Sequence, residues 1–410
     1  MIILYLGIIT AVFIFEFYLK FINYRFIKTG SSKVQESFQG ELSEEEVEKS
    51  RKYTSEKNGL DLFSEIVNFV FMIFLILIGF RVIEFISKGF SDNYILNGLL
   101  FFALYGLLSY LISLPFTLYS SFNIEERYGF NKKTPKLFLT DTAKSFILTI
   151  LLGGLLLSGV LYLVYNVENW WIYFILGIVV LQFIIQIIYP KFIMPLFNKF
   201  SPIEDQELLD KIKILSEKSG YNVKKVFVMD ASKRSKHSNA FITGLGKNKR
   251  IVLFDTLLEE MTSDEIVAVF AHEIGHFKKK HFLKNFFISL SFMVCFVLLM
   301  YYFIQSSFLY NTFDISEKYT VLVYSVILIS SLFSFMNFLL SYLSRKFEFE
   351  ADKYAVEVSD KRAFIDALKK LGKQNLSVLE PHDLYKKFYY SHPTISEREK
   401  EINNNDQIKK

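Results

Sequence analysis

Seven stretches of this chain, roughly 2–21, 64–87, 95–119, 145–165, 169–190, 283–305 and 319–343, are apolar over about the length that a bilayer core requires. No other feature restricts the fold as much. In hydrocarbon every backbone amide must find its partner within the protein, which leaves helices or closed barrels. Continuous apolar runs of this length, without strand-like alternation, predict helices. The chain has 410 residues, 51% of them hydrophobic and 17% aromatic, which several membrane spans explain and a soluble globule does not. The first stretch lacks the basic n-region and small-residue cleavage site of a signal peptide, so it is read as retained.

Charge in the connections alternates. Segments 22–62, 120–144, 191–282 and the tail after Ser344 are rich in Lys and Arg, whereas 88–94, 166–168 and 306–318 are nearly free of them. The positive-inside rule then predicts an N-terminus outside and a C-terminus in the cytosol. The net charge of +5 is modest and sits mostly in loops, which suggests a lipid bilayer as partner and no nucleic acid. Glu16 lies inside the first span, where an ionised group either faces a polar interior or snorkels to an interface.

The expected fold is mainly α and multi-pass, with a small α+β insert. Residues 1–200 carry five spans, 201–282 form the insert, 283–343 a two-span hairpin, and 344–410 a cytosolic segment. Within the insert, Gln206–Lys218 reads as an amphipathic helix stopped by Gly220. Val226–Met229 reads as a strand, and Asn239–Leu245 and Arg250–Phe254 as two strands joined by a turn at Gly246-Lys247-Asn248. The acidic-basic stretch Gly40–Lys57 is expected as a solvated helix or loop.

The insert ends in Ala271-His272-Glu273-Ile274-Gly275-His276. Thr262 followed by Glu265 predicts a capping box, hence a helix running through this motif. His272 and His276 then share one face at i and i+4, so their imidazoles can converge on one Zn²⁺, and Glu273 beside them can take a proton from the attacking water. The single cysteine, Cys295, lies in an apolar run, so a metal must rely on His, Asp or Glu. A catalytic zinc needs a third protein ligand. Two crossings after His276 bring the chain back to the same side at Glu348, Glu350 and Asp352. On a helix Glu348 and Asp352 share a face, so Glu348 is chosen as ligand and Asp352 as the acid orienting an imidazole, with Glu350 as the alternative ligand.

His-Glu-Ile-Gly-His, followed after a two-span hairpin by Ser344-Arg345-Lys346-Phe347-Glu348-Phe349-Glu350-Ala351-Asp352, resembles the type I CAAX prenyl proteases, which are integral-membrane zinc endopeptidases. The stretches Glu48–Tyr53, Ile124–Lys132, Pro195–Phe200, Ser238–Phe241 and Tyr390–Thr394 agree with that family in the same order, so the resemblance spans nearly the whole chain. It implies seven helices around an interior chamber, with one Zn²⁺ on His272, His276 and Glu348 at its cytosolic end. It further implies that His392 and Arg398 steady the oxyanion and that Asn239, Ala240 and Phe241 form the edge strand that pairs with an extended substrate. The residues alone allow blander readings: His392 as a surface cap before Pro393, and Asn239–Phe241 as an ordinary hairpin strand.

The family removes three C-terminal residues after a prenylated cysteine. The bias toward Lys, Ile, Phe and Asn suits an AT-rich genome, bacterial in one reading, where prenylated proteins are scarce. A dilysine retrieval signal is absent from Gln407-Ile408-Lys409-Lys410. The substrate expected here is therefore a prenylated CAAX-type peptide or another membrane-associated peptide. The membrane is a bacterial inner membrane or that of the endoplasmic reticulum. The rival readings are a membrane-protein quality-control metalloprotease and, outside enzymes, a transporter or scaffold with a structural zinc.

Overall fold

The computed structural model describes residues 1–221, 225–243 and 250–404. Among the described residues seven helices are long and apolar enough to cross a membrane: α1 (Ile2–Lys28), α2 (Glu44–Lys88), α3 (Tyr94–Glu125), α4 (Pro135–Asn166), α5 (Trp170–Phe197) and, later in the chain, His281–Gln305 and Lys318–Val358. All seven expected spans are present, but most of the helices outrun them. The second begins at Glu44 instead of 64, because Ser43 closes a capping box with Glu46 and three acids occupy the first turn. The stretch 44–57 is thus a helical extension continuous with the span. Likewise α4 starts at Pro135, behind a Thr134 cap. Hydropathy marks what lies in lipid, whereas the helix continues until its backbone is capped.

After α5 come β1 (Phe200–Pro202), α6 (Gln206–Lys218), β2 (Lys225–Met229), β3 (Ala240–Thr243) and β4 (Arg250–Phe254). Gly220, at φ +55°, follows α6. The strands form one sheet in the order β1-β2-β4-β3, with β2 and β4 parallel and the outer pairs antiparallel. The expected turn at Gly246-Lys247-Asn248 lies outside the described residues. β1 is an addition: Phe-Ser-Pro carries little strand propensity, and its pairing with β2 supplies the order. A short helix, α7 (Asp255–Glu260), separates β4 from the motif helix α8 (Ser263–Lys278). The remaining helices are α9 (His281–Gln305), α10 (Ser307–Phe313), α11 (Lys318–Val358), α12 (Lys361–Gln374), α13 (Asp383–Tyr389) and α14 (Ile395–Asn404).

The two largest hydrophobic cores among the described residues hold most of these parts. One joins the spans through Tyr5, Phe80, Phe101, Leu161, Trp170, Tyr319 and Tyr324. There the Tyr5 hydroxyl donates to the Tyr324 carbonyl at 2.8 Å, and the Tyr324 hydroxyl to that of Ile76 at 2.7 Å. The other packs α6, the sheet, α8 and α12 through Ile212, Ile251, Ile266, Phe270 and Phe364. The spans themselves bury little. No span buries more than 44% of its most apolar window, and α5 buries none of it. Helices that ring a space leave both faces accessible in this way, whereas a close-packed bundle would cover its inner faces. Glu16 is half-buried in α1. Burial first, then the charges of Glu16 and Glu65, push the Tyr389 phenol above its ordinary range, which places Glu16 near a polar group of α13.

Candidate metal centre

The site begins with α8. Thr262 and Glu265 form the capping box, with the Thr262 amide donating to Glu265 at 2.7 Å. Ile266, Phe270 and Ile274 then bury one face in the insert core, which orients the helix. That orientation turns His272 and His276 toward α11. Gly275 allows the two helices to meet: a Cβ there would stand 2.9 Å from both the Ala351 Cα and the Ala351 carbonyl oxygen. Any larger residue would hold α11 away.

At this close approach Glu348 reaches both imidazoles. Its Oε2 lies 3.4 Å from His272 Nε2, its Oε1 3.3 Å from His276 Nε2, and the two Nε2 atoms are 3.1 Å apart. One ligand atom from each of the three residues falls within 4.8 Å of the others. Glu348 Oε2 is buried and has no hydrogen-bond partner among the described residues, although His392 Nδ1 comes within 3.0 Å. A buried carboxylate oxygen left in this state fits a cation. Two nitrogens and a carboxylate are also the donor set of a divalent metal with an open position.

The far side of His272 is occupied. Its Nδ1 is 2.8 Å from Asp352 Oδ1, and Arg398 grips both Asp352 oxygens at 2.8 and 2.5 Å. Arg398 is largely enclosed here, with its side chain 11% exposed, and its guanidinium also comes within 3.3 Å of His272 Nδ1. Burial opposes charge on His272, but Asp352 and then Glu348 outweigh it and push its pKa up to about 9. Glu273 is partly buried on the same helix. Burial, reinforced by the Glu273 charge, pushes the neighbouring Tyr221 phenol to about 12.

His392 differs from Arg398. Its side chain is 66% exposed, on the open side of Glu348. It precedes Thr394, which caps α14 together with Glu397. Among the described residues β3 is an edge strand, paired only with β4, and it packs beside α8. Ala240 and Phe241 lie on that edge, while the exposed Asn239 just precedes it and folds its Oδ1 onto the Ala240 amide at 2.8 Å. Glu350 points elsewhere: its Oε2 is 3.0 Å from His281, away from the three converging donors.

Two residues here carried no sequence signal. His281 sits behind His276. Arg345 donates to the carbonyls of Lys386, Lys387 and Tyr390, so it satisfies the end of α13 just before His392. It stands in the quoted Ser-Arg-Lys-Phe stretch, but no spacing rule links it to residues forty positions later.

Known proteins align with this architecture along its whole length. Residues 23–199 match a family model described as CAAX prenyl protease N-terminal, five membrane helices, and residues 202–406 match peptidase family M48. CAAX prenyl protease 1 of Saccharomyces cerevisiae is 35% identical, covering 96% of this chain and 93% of that protein. The Arabidopsis thaliana homolog is 34% identical, covering 98% and 97%. The crystal structure of S. mikatae Ste24p superposes with a TM-score of 0.88 at 35% identity, over 97% of each chain. A multi-pass helical membrane protein with a metal-ready His-His-Glu cluster at the insert, this chain belongs to the type I CAAX prenyl protease family, the membrane metallopeptidases of family M48.

Proposed function

We propose that His272, His276 and Glu348 hold one zinc ion, and that the chain hydrolyses a peptide bond near the C-terminus of prenylated CAAX-type peptides. The observation that carries this reading is the convergence of those three donors around a buried carboxylate oxygen without a hydrogen bond, on a helix that also presents Glu273. Bound there, zinc would supply Lewis-acid polarisation of the scissile carbonyl and acidify a water. Glu273 is the general base that takes the proton of the attacking water and returns it to the leaving amine. His392, exposed beside Glu348, donates to the oxyanion as charge develops on the carbonyl oxygen. Arg398 works through Asp352: its guanidinium is committed to that carboxylate, which in turn fixes the His272 ring. It is a positioning residue in this reading, not the oxyanion donor expected at first.

The substrate backbone extends along Asn239, Ala240 and Phe241, where the free edge of β3 offers main-chain pairing. The names of the relatives supply the substrate class. The charge alternation of the connections supplies the orientation, with the N-terminus outside and the site on the cytosolic side of the membrane.

The test is hydrolysis of a farnesylated CAAX peptide by detergent-purified protein, with and without a zinc chelator, beside Glu273→Gln. Chelator-sensitive cleavage is expected, and Glu273→Gln should keep its zinc while turnover falls by about 10²–10⁴. A zinc-loaded, folded enzyme that leaves the peptide intact but cuts an unfolded membrane protein would overturn the substrate and favour a quality-control role. Near-normal turnover by Glu273→Gln would overturn the base.

A further inference from the structure

The far nitrogens of the two converging imidazoles are held by different groups. Behind His272 stand Asp352 and Arg398. Behind His276 stands His281, whose Nδ1 lies 3.0 Å from His276 Nδ1. His281 is only 2% exposed, and its ring stacks on Phe347 at 4.4 Å between centroids, 14° from parallel. Its Nε2 lies 3.0 Å from Glu350 Oε2, and Lys284 Nζ approaches the same oxygen at 3.3 Å. The groups form a row from Lys284 and Glu350 through His281 to His276, ending at the donor cluster.

Counting protons along the row leaves one consistent arrangement. Glu350, paired with Lys284, accepts only. A neutral His281 must therefore carry its proton on Nε2 and leave Nδ1 bare. His276 then carries its proton on Nδ1 and donates it to His281. The Nε2 lone pair of His276 is left facing Glu348 and His272. The opposite tautomer would set two bare nitrogens against each other at 3.0 Å and waste the lone pair that a metal needs.

The backbone builds this row at a local cost. Lys280 adopts φ +56°, ψ +33°, a left-handed conformation uncommon outside glycine and asparagine. That single residue ends α8 and starts α9, which turns His281 back against the ring five positions earlier. On an uninterrupted helix, position i+5 would face away. Glu350 arrives from α11, two residues past Glu348, on the far side of that helix.

We propose that His281, oriented by Glu350, is a positioning residue that fixes the tautomer and ring direction of His276 toward the metal. This rests on His276 being a ligand, as proposed above. The test is zinc affinity of the full-length, detergent-purified protein, measured by competition with a chromogenic chelator, together with the visible spectrum of the cobalt(II)-loaded form. His281→Ala is expected to weaken zinc binding about 10–100-fold. His281→Asn, whose Oδ1 can stand where Nδ1 stood, is expected to recover most of that loss and a near-wild-type cobalt spectrum. His281→Gln, which reaches toward Glu350 and offers His276 no acceptor at that place, should not recover it. Glu350→Gln should lose a few-fold. A role confined to packing on Phe347 would not separate Asn from Gln, so equal affinities for the two overturn the proposal even if His281→Ala fails to fold. Unchanged affinity in His281→Ala overturns it as well. Failure of the wild type to bind one zinc per chain would instead refute the ligand assignment on which it stands.

Discussion

Glu348 and Asp352 are separated by one helical turn and do different work because of what faces each. Glu348 looks into the gap between two imidazoles, whereas Asp352 is enclosed by Arg398 and the back of His272. The pair leaves its mark on His272, whose pKa rises to about 9. A ligating nitrogen must be bare, so metal uptake at His272 has to expel a proton wherever the free ring is charged. The sign follows: apparent zinc affinity should climb with pH by about tenfold per unit between 6 and 8, and level off above about 9. Chelator competition at a series of pH values measures this, and an affinity independent of pH would mean that His272 takes up metal as a neutral ring. Asp352→Asn is a sharper intervention. It leaves the largely enclosed Arg398 without its counter-charge, and breaking a pair of that kind costs up to about 3–5 kcal/mol. The expected result is a lowered melting temperature together with weakened metal binding, and a variant as stable as the wild type would show that Arg398 finds another partner.

At the scale of elements, the packing of α8 on α11 depends on one missing methyl group. Gly275→Ala separates two effects of opposite sign. Helix propensity alone would make alanine better by about 1 kcal/mol. The new Cβ would meet Ala351 backbone atoms at 2.9 Å, and overpacking of that kind costs about 1–3 kcal/mol. The neighbouring atoms are backbone and cannot rotate away, so the clash should win. We expect a lower melting temperature and a loss of zinc affinity, since Glu348 rides on the displaced helix. A stabilised variant with intact zinc binding would show that the helices have slack. The sequence made α8 legible through its capping box and its i, i+4 histidines, which are local signals. It also made the spans legible, since hydrophobic length is local too. It did not reveal the closeness at Gly275, because the position reads as an ordinary variable residue of the motif until Ala351 is seen against it. His281 was illegible for a related reason: the left-handed Lys280 cancels the helical spacing that would have excluded it. β1 was missed because its pairing comes from β2, not from Phe-Ser-Pro itself.

Over the whole molecule, the site is closed by a contact between opposite ends of the chain. The segment after α1 runs beside the segment that carries His392. Gln35 donates to the carbonyls of Ser377 and Leu379, the Ser32 hydroxyl donates to the Glu380 carbonyl, and the Ser37 amide donates to the Ser396 Oγ at 2.9 Å. Phe38 is fully buried among Ile27, Val378 and Leu379, against Ile395, the first residue of α14. Gly372 leaves room for its ring, since a Cβ there would come within 2.7 Å of it. The contacts between the two ends could not be read from the sequence, where those partners stand more than 330 positions apart and no periodicity connects them. They make the N-terminal membrane half a support for α14, and through Arg398 for Asp352. Phe38→Ala should therefore cost about 3–5 kcal/mol in local stability. Because His276 and Glu348 are held by α8 and α11, zinc content should fall much less than turnover, and the loss should show as a lowered kcat on the farnesylated peptide. Zinc content, melting temperature and kcat measured on one preparation decide it. If metal and turnover decline in parallel, Phe38 supports the whole insert; if neither changes, the end-to-end contact does not govern the site.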